Sequence, residues 1–454
     1  MERSARLFGT NRSRAVRLPR EFQFDTSEVF LRWKRFWEMS NRVPKQLLTF
    51  MTLAFTFLTG TLSAQSPDLF VPEKTDPAAA GMNPVLLARI PAKMKAFVDE
   101  GTAAGFVTIV VRHGHVASLD AVGYEDLEAK IPMRTDTILR IASMTKSLTV
   151  AGVMLLIDEG RLSLLDPVEQ FLPEFRAMKV NSCAESHASK GCDPVDASRP
   201  ITVLDLMTHT SGLPGQGAKG AEPFKSLAER VSVGAHIQLL AQPGTKWIYS
   251  QIGYAALGRL IEVCSGKPYQ EFLAERLFEP LGMKDTYFFL PPEKQSRLAA
   301  IYSPDAAGKL VLVPRPGSQG VQVPSPEGGA MSTASDLARF YQMLLNHGTL
   351  NGKRILSTAA VAAMTTNQTG DLKDVEFSPG LGMGLSFGVV KDVVGTFRYQ
   401  SIGTFAKGGA YRTYGWGDPA KDMCGIILFQ RTTGGDIAPE ITAFSILANA
   451  AIQR

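Results

Sequence analysis

The sequence predicts an α+β fold, of mixed α/β character, in which an antiparallel sheet from both chain ends is flanked by helices. Apolar, strand-like segments occur at residues 106–124 and return at residues 383–430. The residues between them show helical periodicity with many Pro and Gly. A sheet interrupted by an inserted, mostly helical lobe follows from this order.

The first predicted elements come from the N-terminal end of the main domain. A helical pattern runs from Asn83 to Glu100 and is interrupted by Pro91. Phe106–Arg112 (FVTIVVR) is typical of a buried strand, and His113-Gly114-His115 indicates a hairpin turn before a returning strand at Val116–Tyr124. Strands that follow a helix directly and pair through a short turn favour an antiparallel sheet.

The remaining elements follow from periodicity. The pattern predicts a helix at Ser143–Glu159, ended by Gly160. Further helices are expected near residues 201–208, 252–265, 335–346 and 358–364. We expect strands at Met383–Val390, Gly395–Ser401, Ala410–Gly417 and Cys424–Gln430, and a closing helix at Glu440–Gln453.

Charge is concentrated at the N-terminus. The formal net charge is +5, but residues 1–64 hold 11 Lys/Arg and 5 Asp/Glu, which leaves 37 basic and 38 acidic residues in the remainder. The main domain therefore has no electrostatic footprint for nucleic acid or a membrane surface.

Residues 39–64 are predicted to be a signal peptide. Arg42 and Lys45 precede an apolar run at residues 47–58, and small residues follow before Gln65. We expect cleavage there, an exported periplasmic or extracellular protein, and no stable membrane span after cleavage. An uncleaved membrane anchor is the alternative. Residues 65–82 are then a linker, and residues 83–454 form the main domain.

Residues 1–38 do not fit this scheme, because export signals belong at the N-terminus. The stretch from Ala5 to Leu31 resembles the DNA-binding half of AbrB/VapB-type antitoxins, and its arginines could contact phosphates. Three interpretations stay open: a spurious extension before a true start at Met39, a real fusion with a DNA-binding regulator, or a basic tail. We favour the first.

The cysteines and histidines suggest no metal site and no cofactor. Cys183 and Cys192 lie in one polar loop and could form a disulfide, whereas Cys264 and Cys424 are expected to be buried thiols. No CxxC or HExxH pattern occurs. His209 is interpreted as a hydrogen-bonded structural histidine in a polar loop.

A serine and a lysine open the helix predicted at residue 143. Ser143-Met144-Thr145-Lys146 is an S-x-x-K motif, whose hydroxyl and ammonium share one helix face. The helix N-terminus and a Lys among apolar neighbours both lower the cost of forming an alkoxide. Gly384-Leu385-Ser386-Phe387-Gly388 also matches G-x-S-x-G, but it lies in a strand-like run and is interpreted as non-catalytic.

Two later segments add groups that suit this serine. Tyr249 precedes a Gly/Ala-rich helix, and beside a Lys its phenol could act as a general base. Lys407-Gly408-Gly409-Ala410 is predicted on an edge strand, where glycines admit a substrate and the Ala410 N–H could stabilise an oxyanion.

These motifs, in this order, give the chain from about Asn83 onward a resemblance to the serine β-lactamase and penicillin-binding-protein superfamily. It is most similar to class C β-lactamases, family VIII carboxylesterases and D-amino-acid-type peptidases. The resemblance extends to Leu206–Pro214 and to Gly328–Thr333. It implies a β-lactamase-like fold, with Ser143 as the acylated nucleophile, Lys146 as its proton-handling partner and Tyr249 as the base. It further implies that Lys407 holds a substrate carboxylate and that the Ser143 and Ala410 amides form the oxyanion hole.

Two departures from the family pattern bear on the substrate. Gln251 replaces the usual Asn, and Gly408 replaces the hydroxyl residue of K-T-G. Both favour an esterase or a generalist hydrolase of small ester, amide or peptide substrates over an efficient β-lactamase, with Gln251, Lys407, Gly408, Gly409 and Ala410 at the substrate. A penicillin-binding sensor or a D-peptidase of cell-wall peptides is the alternative.

Overall fold

The computed structural model describes residues 6–10, 13–17, 70–181, 193–215, 224–314, 323–373, 375, 380–394, 398–432 and 438–453. The chain divides into two units, Met1–Gln65 and Ser66–Arg454. In the first, β1 (Arg6–Thr10) pairs antiparallel with β2 (Ser13–Arg17). The antitoxin resemblance stays a prediction that no finding supports. The predicted signal peptide and the Cys183–Cys192 pair lie outside the described residues.

The second unit holds the other strands. They are β3 (Val71–Lys74), β4 (Gly105–Arg112), β5 (His115–Asp126), β6 (Ile131–Pro132), β7 (Leu139–Arg140), β8 (Lys179–Val180), β9 (Val195–Asp196), β10 (Ile301–Pro304), β11 (Leu310–Val313), β12 (Met331–Ser332), β13 (Thr349–Leu350), β14 (Lys353–Arg354), β15 (Leu381–Met383), β16 (Gly388–Val390), β17 (Phe405–Gly408), β18 (Tyr414–Asp418) and β19 (Met423–Leu428).

The α-helices of this unit are α1 (Pro84–Leu87), α2 (Arg89–Asp99), α3 (Thr145–Asp158), α4 (Val203–Met207), α5 (Leu227–Ala235), α6 (Gln251–Ser265), α7 (Tyr269–Leu273), α8 (Glu279–Leu281), α9 (Ala334–Leu345), α10 (Thr358–Thr365) and α11 (Pro439–Ala450). Short 3₁₀ helices include Ala142–Met144, directly before α3. Among the described helices, none is both long and apolar enough to cross a membrane.

The main sheet joins the two ends of the unit. Its nine strands run in the order β15-β16-β17-β18-β19-β4-β5-β3, and β6 pairs with β5. All neighbours are antiparallel except β3 and β5. The mostly helical stretch from α3 to α10 is inserted between β7 and β15. The predicted antiparallel sheet with an inserted helical lobe is confirmed.

Helices cover both faces of the sheet. In β4, Val107, Ile109 and Val111 belong to the cluster that includes α3, α6 and α9, whereas Phe106 and Val110 face the cluster of α2 and α11. This alternation is the two-residue period of a strand buried on both sides. Helix α3 lies so deep in the first cluster that every residue from Thr145 to Leu156 is buried. The side chain of Lys146 is therefore held inside the protein.

The prediction around Pro91 was wrong in one respect. The helical segment is divided at Ala88, not at Pro91, into α1 and α2. Pro91 lies in the first turn of α2, where its missing N–H removes no intrahelical hydrogen bond.

The strand predictions after residue 380 need larger corrections. The predicted strand Met383–Val390 is a hairpin of β15 and β16, because Gly384 N donates to Phe387 O at 2.8 Å and Ser386 adopts φ +77°. Of the predicted strand Gly395–Ser401, residues 395–397 are not described and residues 398–401 are not a strand; β17 follows instead. Residues 409–412 form a turn before β18, with Arg412 at φ +65°.

Candidate active site

Ser143 lies where the short strand β7 leads into α3. The preceding Ala142 has φ +44°, a conformation that L residues rarely adopt, and residues 142–144 form a tight 3₁₀ turn. The Ile141 carbonyl accepts a hydrogen bond of 3.0 Å from Thr413 Oγ1, which ties this turn to the loop between β17 and β18. Ser143 itself is half-buried. The turn thus presents the hydroxyl at the N-terminus of a buried helix.

Lys146 lies one helical turn after Ser143 and has no solvent exposure. Its Nζ donates to Ser143 Oγ at 3.3 Å and to the Glu327 carbonyl at 2.7 Å. The ammonium also lies 4.7 Å from the centre of the Tyr249 ring and 5.3 Å from that of Tyr254. Burial lowers the pKa of Lys146, and although Tyr249 opposes this, the net pKa is below the ordinary value for a lysine.

Tyr249 completes the contacts to the serine. Its hydroxyl donates to Ser143 Oγ at 2.7 Å. Burial by itself would raise the pKa of Tyr249, but the charges of Lys407 and Lys146 and its hydrogen bonds to Lys146 and Ser143 bring the pKa below the ordinary value. At a given pH, a larger fraction of Tyr249 is therefore phenolate, the form that accepts a proton, than of a tyrosine in water.

The loop at residues 326–330 forms a further wall of the site. Besides the Glu327 carbonyl on Lys146, the Pro326 carbonyl accepts a hydrogen bond of 2.6 Å from Thr149 Oγ1, and Ala330 N donates to Thr145 Oγ1 at 3.1 Å. The Glu327 carboxylate pairs with Arg230. Sequence reasoning missed Glu327 because its contribution is a main-chain carbonyl, which has no signature in the sequence.

Lys407 lies on β17, which is an internal strand and not the predicted edge strand. Because β16 pairs only with Phe405 and Ala406, the end of β17 that carries Lys407 extends past this neighbour. The side chain is 3% exposed, and its ammonium lies 5.4 Å from the centre of the Tyr249 ring. The structure therefore brings Lys407 to the same phenol as Lys146.

Gly409 and Ala410 follow Lys407 at the Ser143 turn. A Cβ on Gly409 would lie 2.3 Å from the Ile141 carbonyl, so only glycine fits this approach. Ala410 is exposed, and its N–H makes no backbone hydrogen bond within the described chain. An N–H next to the serine turn with no internal partner suits an oxyanion donor.

The other residues predicted at the substrate lie around this core. Gln251 is half-buried at the first residue of α6, where its N–H donates to the Gly215 carbonyl at 3.0 Å. Gly408 ends β17 and is half-buried. The roles of Gln251 and Gly408 at the substrate stay predictions.

Ser386 makes no side-chain hydrogen bond to a titratable group among the described residues. It is fully buried, and its Oγ is 2.8 Å from the Oγ of Ser147 on α3. Its N–H donates to the Met207 carbonyl at 3.2 Å. Within the described residues, the partner of this hydroxyl is another hydroxyl, which cannot act as a general base.

A cavity of about 510 Å³ lies beside α4 and is separate from Ser143. Its wall includes Arg199 and Asp205, which form a two-pronged ion pair at 2.6 and 2.9 Å. Burial raises the pKa of Asp205, but the bonds from Arg199 and Thr202 bring it below the usual range. Asp205 also forms the capping box of α4 with Thr202, so the ion pair and the cap together stabilise this helix. Within the described ranges, no cluster of three or more His, Cys, Asp or Glu side chains could hold a metal ion.

Comparisons with known proteins assign the chain to a family. A family profile described as Beta-lactamase matches residues 90–449. The chain is 34% identical to Protein Rv1367c of Mycobacterium tuberculosis over 75% of this chain and 88% of that protein. It is 30% identical to Esterase EstB of Burkholderia gladioli, over 74% of this chain and 88% of that enzyme.

Among solved structures, the chain is similar to EstCE1, a hydrolase with promiscuous acyltransferase activity. The TM-score is 0.69 at 25% identity, covering 81% of this chain and 99% of that one. Since the family profile spans far more than half of the residues and the fold agrees, this chain belongs to the beta-lactamase family of serine hydrolases.

Proposed function

We propose that this protein hydrolyses ester or amide bonds of small molecules through an acyl-enzyme on Ser143. The observation that carries the proposal is the pair of hydrogen bonds to Ser143 Oγ, from Tyr249 at 2.7 Å and from Lys146 at 3.3 Å. A serine hydroxyl is a weak nucleophile unless a base takes its proton and a nearby charge stabilises the resulting alkoxide. Tyr249 and Lys146 supply such a base and such a charge at Ser143 Oγ.

The first step is acylation. Tyr249, as phenolate, takes the Ser143 proton while Oγ attacks the substrate carbonyl carbon, and the carbonyl oxygen becomes an oxyanion facing the Ser143 and Ala410 amides. Collapse of this intermediate breaks the bond to the leaving group, which receives the proton from Tyr249. Lys146 keeps its positive charge beside the phenolate and Oγ. In the second step Tyr249, again phenolate, takes a proton from water as the water oxygen attacks the acyl carbon. The bond from that carbon to Ser143 Oγ then breaks, Oγ receives the proton from Tyr249, and the acid product leaves.

Esters are the substrates that we favour. Lys407 is buried against Tyr249, so its positive charge stabilises the Tyr249 phenolate as much as it would a substrate carboxylate. Gly408 offers no hydroxyl for a β-lactam carboxylate, and Gln251 is longer than the asparagine common in β-lactamases. Cleavage of D-amino-acid peptides is the second candidate, because curated relatives include both an esterase and a D-alanyl-D-alanine carboxypeptidase/endopeptidase.

The N-terminal segment supports a proposal about the cellular location of the enzyme. We propose that residues 39–64 direct export and that the mature enzyme begins near Gln65, in the periplasm or outside the cell. N-terminal sequencing of the protein purified from its native cell tests this. A first residue upstream of Met39 would contradict it.

The catalytic proposal is tested with Ser143→Ala. Wild-type protein is assayed on short-chain p-nitrophenyl esters, nitrocefin and D-amino-acid amides, and we expect ester turnover that the variant loses entirely. Mass spectrometry of protein quenched during turnover should show the acyl group on the peptide that contains Ser143. Retained turnover in the variant would refute the nucleophile, and a stable penicillin adduct without turnover would favour a sensor.

A further inference from the structure

His209 is hydrogen-bonded to both neighbours of Tyr249. It is fully buried in the left-handed region, with φ +60°. Its carbonyl accepts a hydrogen bond of 2.8 Å from Ile248 N, and its Nδ1 accepts one of 3.0 Å from Ser250 N. The chain immediately before and after Tyr249 is therefore attached to one residue.

The imidazole ring also packs on the phenol itself. The ring centroids of His209 and Tyr249 are 4.5 Å apart with an interplanar angle of 35°. Tyr254 lies at 4.8 Å and Trp247 at 5.8 Å from the same imidazole. This packing restricts the swing of the Tyr249 ring, because the ring would have to displace a buried aromatic neighbour to move.

The contacts also fix the protonation state of His209. Since Nδ1 accepts from a backbone N–H, the ring hydrogen is on Nε2, and Nε2 has no hydrogen-bond partner in the described part of the chain. Burial and the charges of Lys407 and Lys146 hold the pKa of His209 well below its usual range. An imidazolium could not accept from Ser250, so the neutral ring is the form that fits.

We propose that His209 is a neutral positioning residue, which holds the Tyr249 hydroxyl within reach of Ser143 through the hydrogen bond from Ser250 and the ring stack. Among the described residues it makes no hydrogen bond to the Ser143 oxygen, so it acts through Tyr249. The inference rests on the proposed function, in which Tyr249 is the base. It assigns a specific role to a histidine whose sequence context indicated only a structural one.

The neutral state of His209 matters because the groups that face Tyr249 are charged. Lys146 approaches from α3 and Lys407 from β17, and both carry positive charge. Glu327 and its partner Arg230 face Lys146 from the loop at residues 326–330 and from α5. A neutral His209 adds no third cation to this group and does not titrate as pH changes through the working range. The pH dependence of the rate then does not come from His209.

The test compares His209→Asn with His209→Gly. Both residues tolerate a positive φ, but only Asn offers an oxygen in place of Nδ1 to accept from Ser250. We expect kcat of the Gly variant to fall by roughly tenfold to a hundredfold with KM little changed, because a displaced base slows the chemical step. The Asn variant should recover most of that loss. His209→Phe supplies a second acceptor-free variant that retains an aromatic ring, and we expect it to resemble Gly.

A spectroscopic readout separates positioning from simple packing and does not depend on catalysis. The ultraviolet absorption of tyrosinate is titrated in each His209 variant and in the same variant carrying Tyr249→Phe, so that the difference reports Tyr249 alone. We expect Tyr249 to ionise at higher pH in the Gly variant, since the phenol moves from its two lysines, and to be unchanged in the Asn variant. Equal titrations and equal kcat in the Gly variant and wild type would overturn the inference, as would an Asn variant as impaired as Gly.

Failure of the proposed function gives a different result. If Tyr249→Phe alone retains full turnover, the assignment of Tyr249 as the base fails. The tyrosinate titration would still show whether His209 holds the phenol beside its lysines. The two conclusions can therefore be overturned separately.

Discussion

The chain contains two serines in motifs that enzymes use for nucleophiles, and the structure gives them opposite surroundings. Ser143 is half-buried at the start of α3 and is hydrogen-bonded by Tyr249 and Lys146. Ser386 is fully buried in the turn between β15 and β16, where its Oγ contacts Ser147 Oγ at 2.8 Å. Both lie at unusual backbone positions: Ala142 before Ser143 has φ +44°, and Ser386 itself has φ +77°.

Ser143 has a proton acceptor and a charged group beside it, which are the features that activate a serine, whereas a nucleophile-like motif and a strained backbone occur at both serines. Ser386 packs on α3 through Ser147, one helical turn after Ser143. Under the proposed function, Ser143 serves the chemistry and Ser386 the packing. Three substitutions test this comparison.

The largest effect is expected for Lys146→Met, which replaces the buried ammonium with an apolar side chain of similar length. Without the charge, the alkoxide and the phenolate lose their shared partner, and kcat should fall by about 10³-fold. Steady-state kinetics on the best ester measures this. Lys146→Arg should not restore activity, because the larger, planar guanidinium does not fit the buried position of the ammonium between Ser143 Oγ and the Glu327 carbonyl. Ser147→Ala, next to Lys146 in the chain, is the matched control and should retain activity.

A smaller effect with a defined pH dependence is expected for Lys407→Met. The charge of Lys407 is the main factor that lowers the pKa of Tyr249 against the effect of burial. Its removal raises that pKa, so the acid limb of the kcat/KM profile moves to higher pH, because the phenolate is the active form. We expect roughly tenfold less activity near neutral pH and recovery as the pH rises. A rise in KM for carboxylate-bearing substrates alone, at an unchanged pH profile, would instead assign Lys407 to substrate binding.

The smallest effect on activity is expected for Ser386→Ala. The substitution removes the bond to Ser147 and leaves that buried hydroxyl without it, so the free energy of unfolding should fall by about 1–2 kcal/mol. Turnover of esters should be unchanged. Chemical denaturation measures the stability, and a double-mutant cycle with Ser147→Ala isolates the pair. Loss of turnover with intact stability would contradict the structural role of Ser386.

Much of the fold was predictable because burial leaves a period in the sequence. The continuous apolar run at Phe106–Arg112 and the apolar helical pattern after Ser143 both reflect elements buried in the core, and both appear as expected. The region from residue 383 to residue 417 was harder. Its turns depend on positive φ at Ser386 and Arg412. A glycine in the sequence would indicate such a conformation, whereas serine and arginine do not.

The sequence by itself determined the local pieces of the site, since Ser143 and Lys146 are one helical turn apart and a helix fixes that relation. It also indicated the candidates Tyr249 and Lys407. Only the tertiary structure showed that four segments come together around Ser143, Lys146 and Tyr249. They are α3, the Tyr249 loop, β17 and the loop at residues 326–330. It alone showed the Glu327 carbonyl on Lys146 and His209 against Tyr249. The physical reason is that these are long-range contacts, chosen by packing and by the need of buried polar groups for partners, and neither leaves a local pattern in the chain.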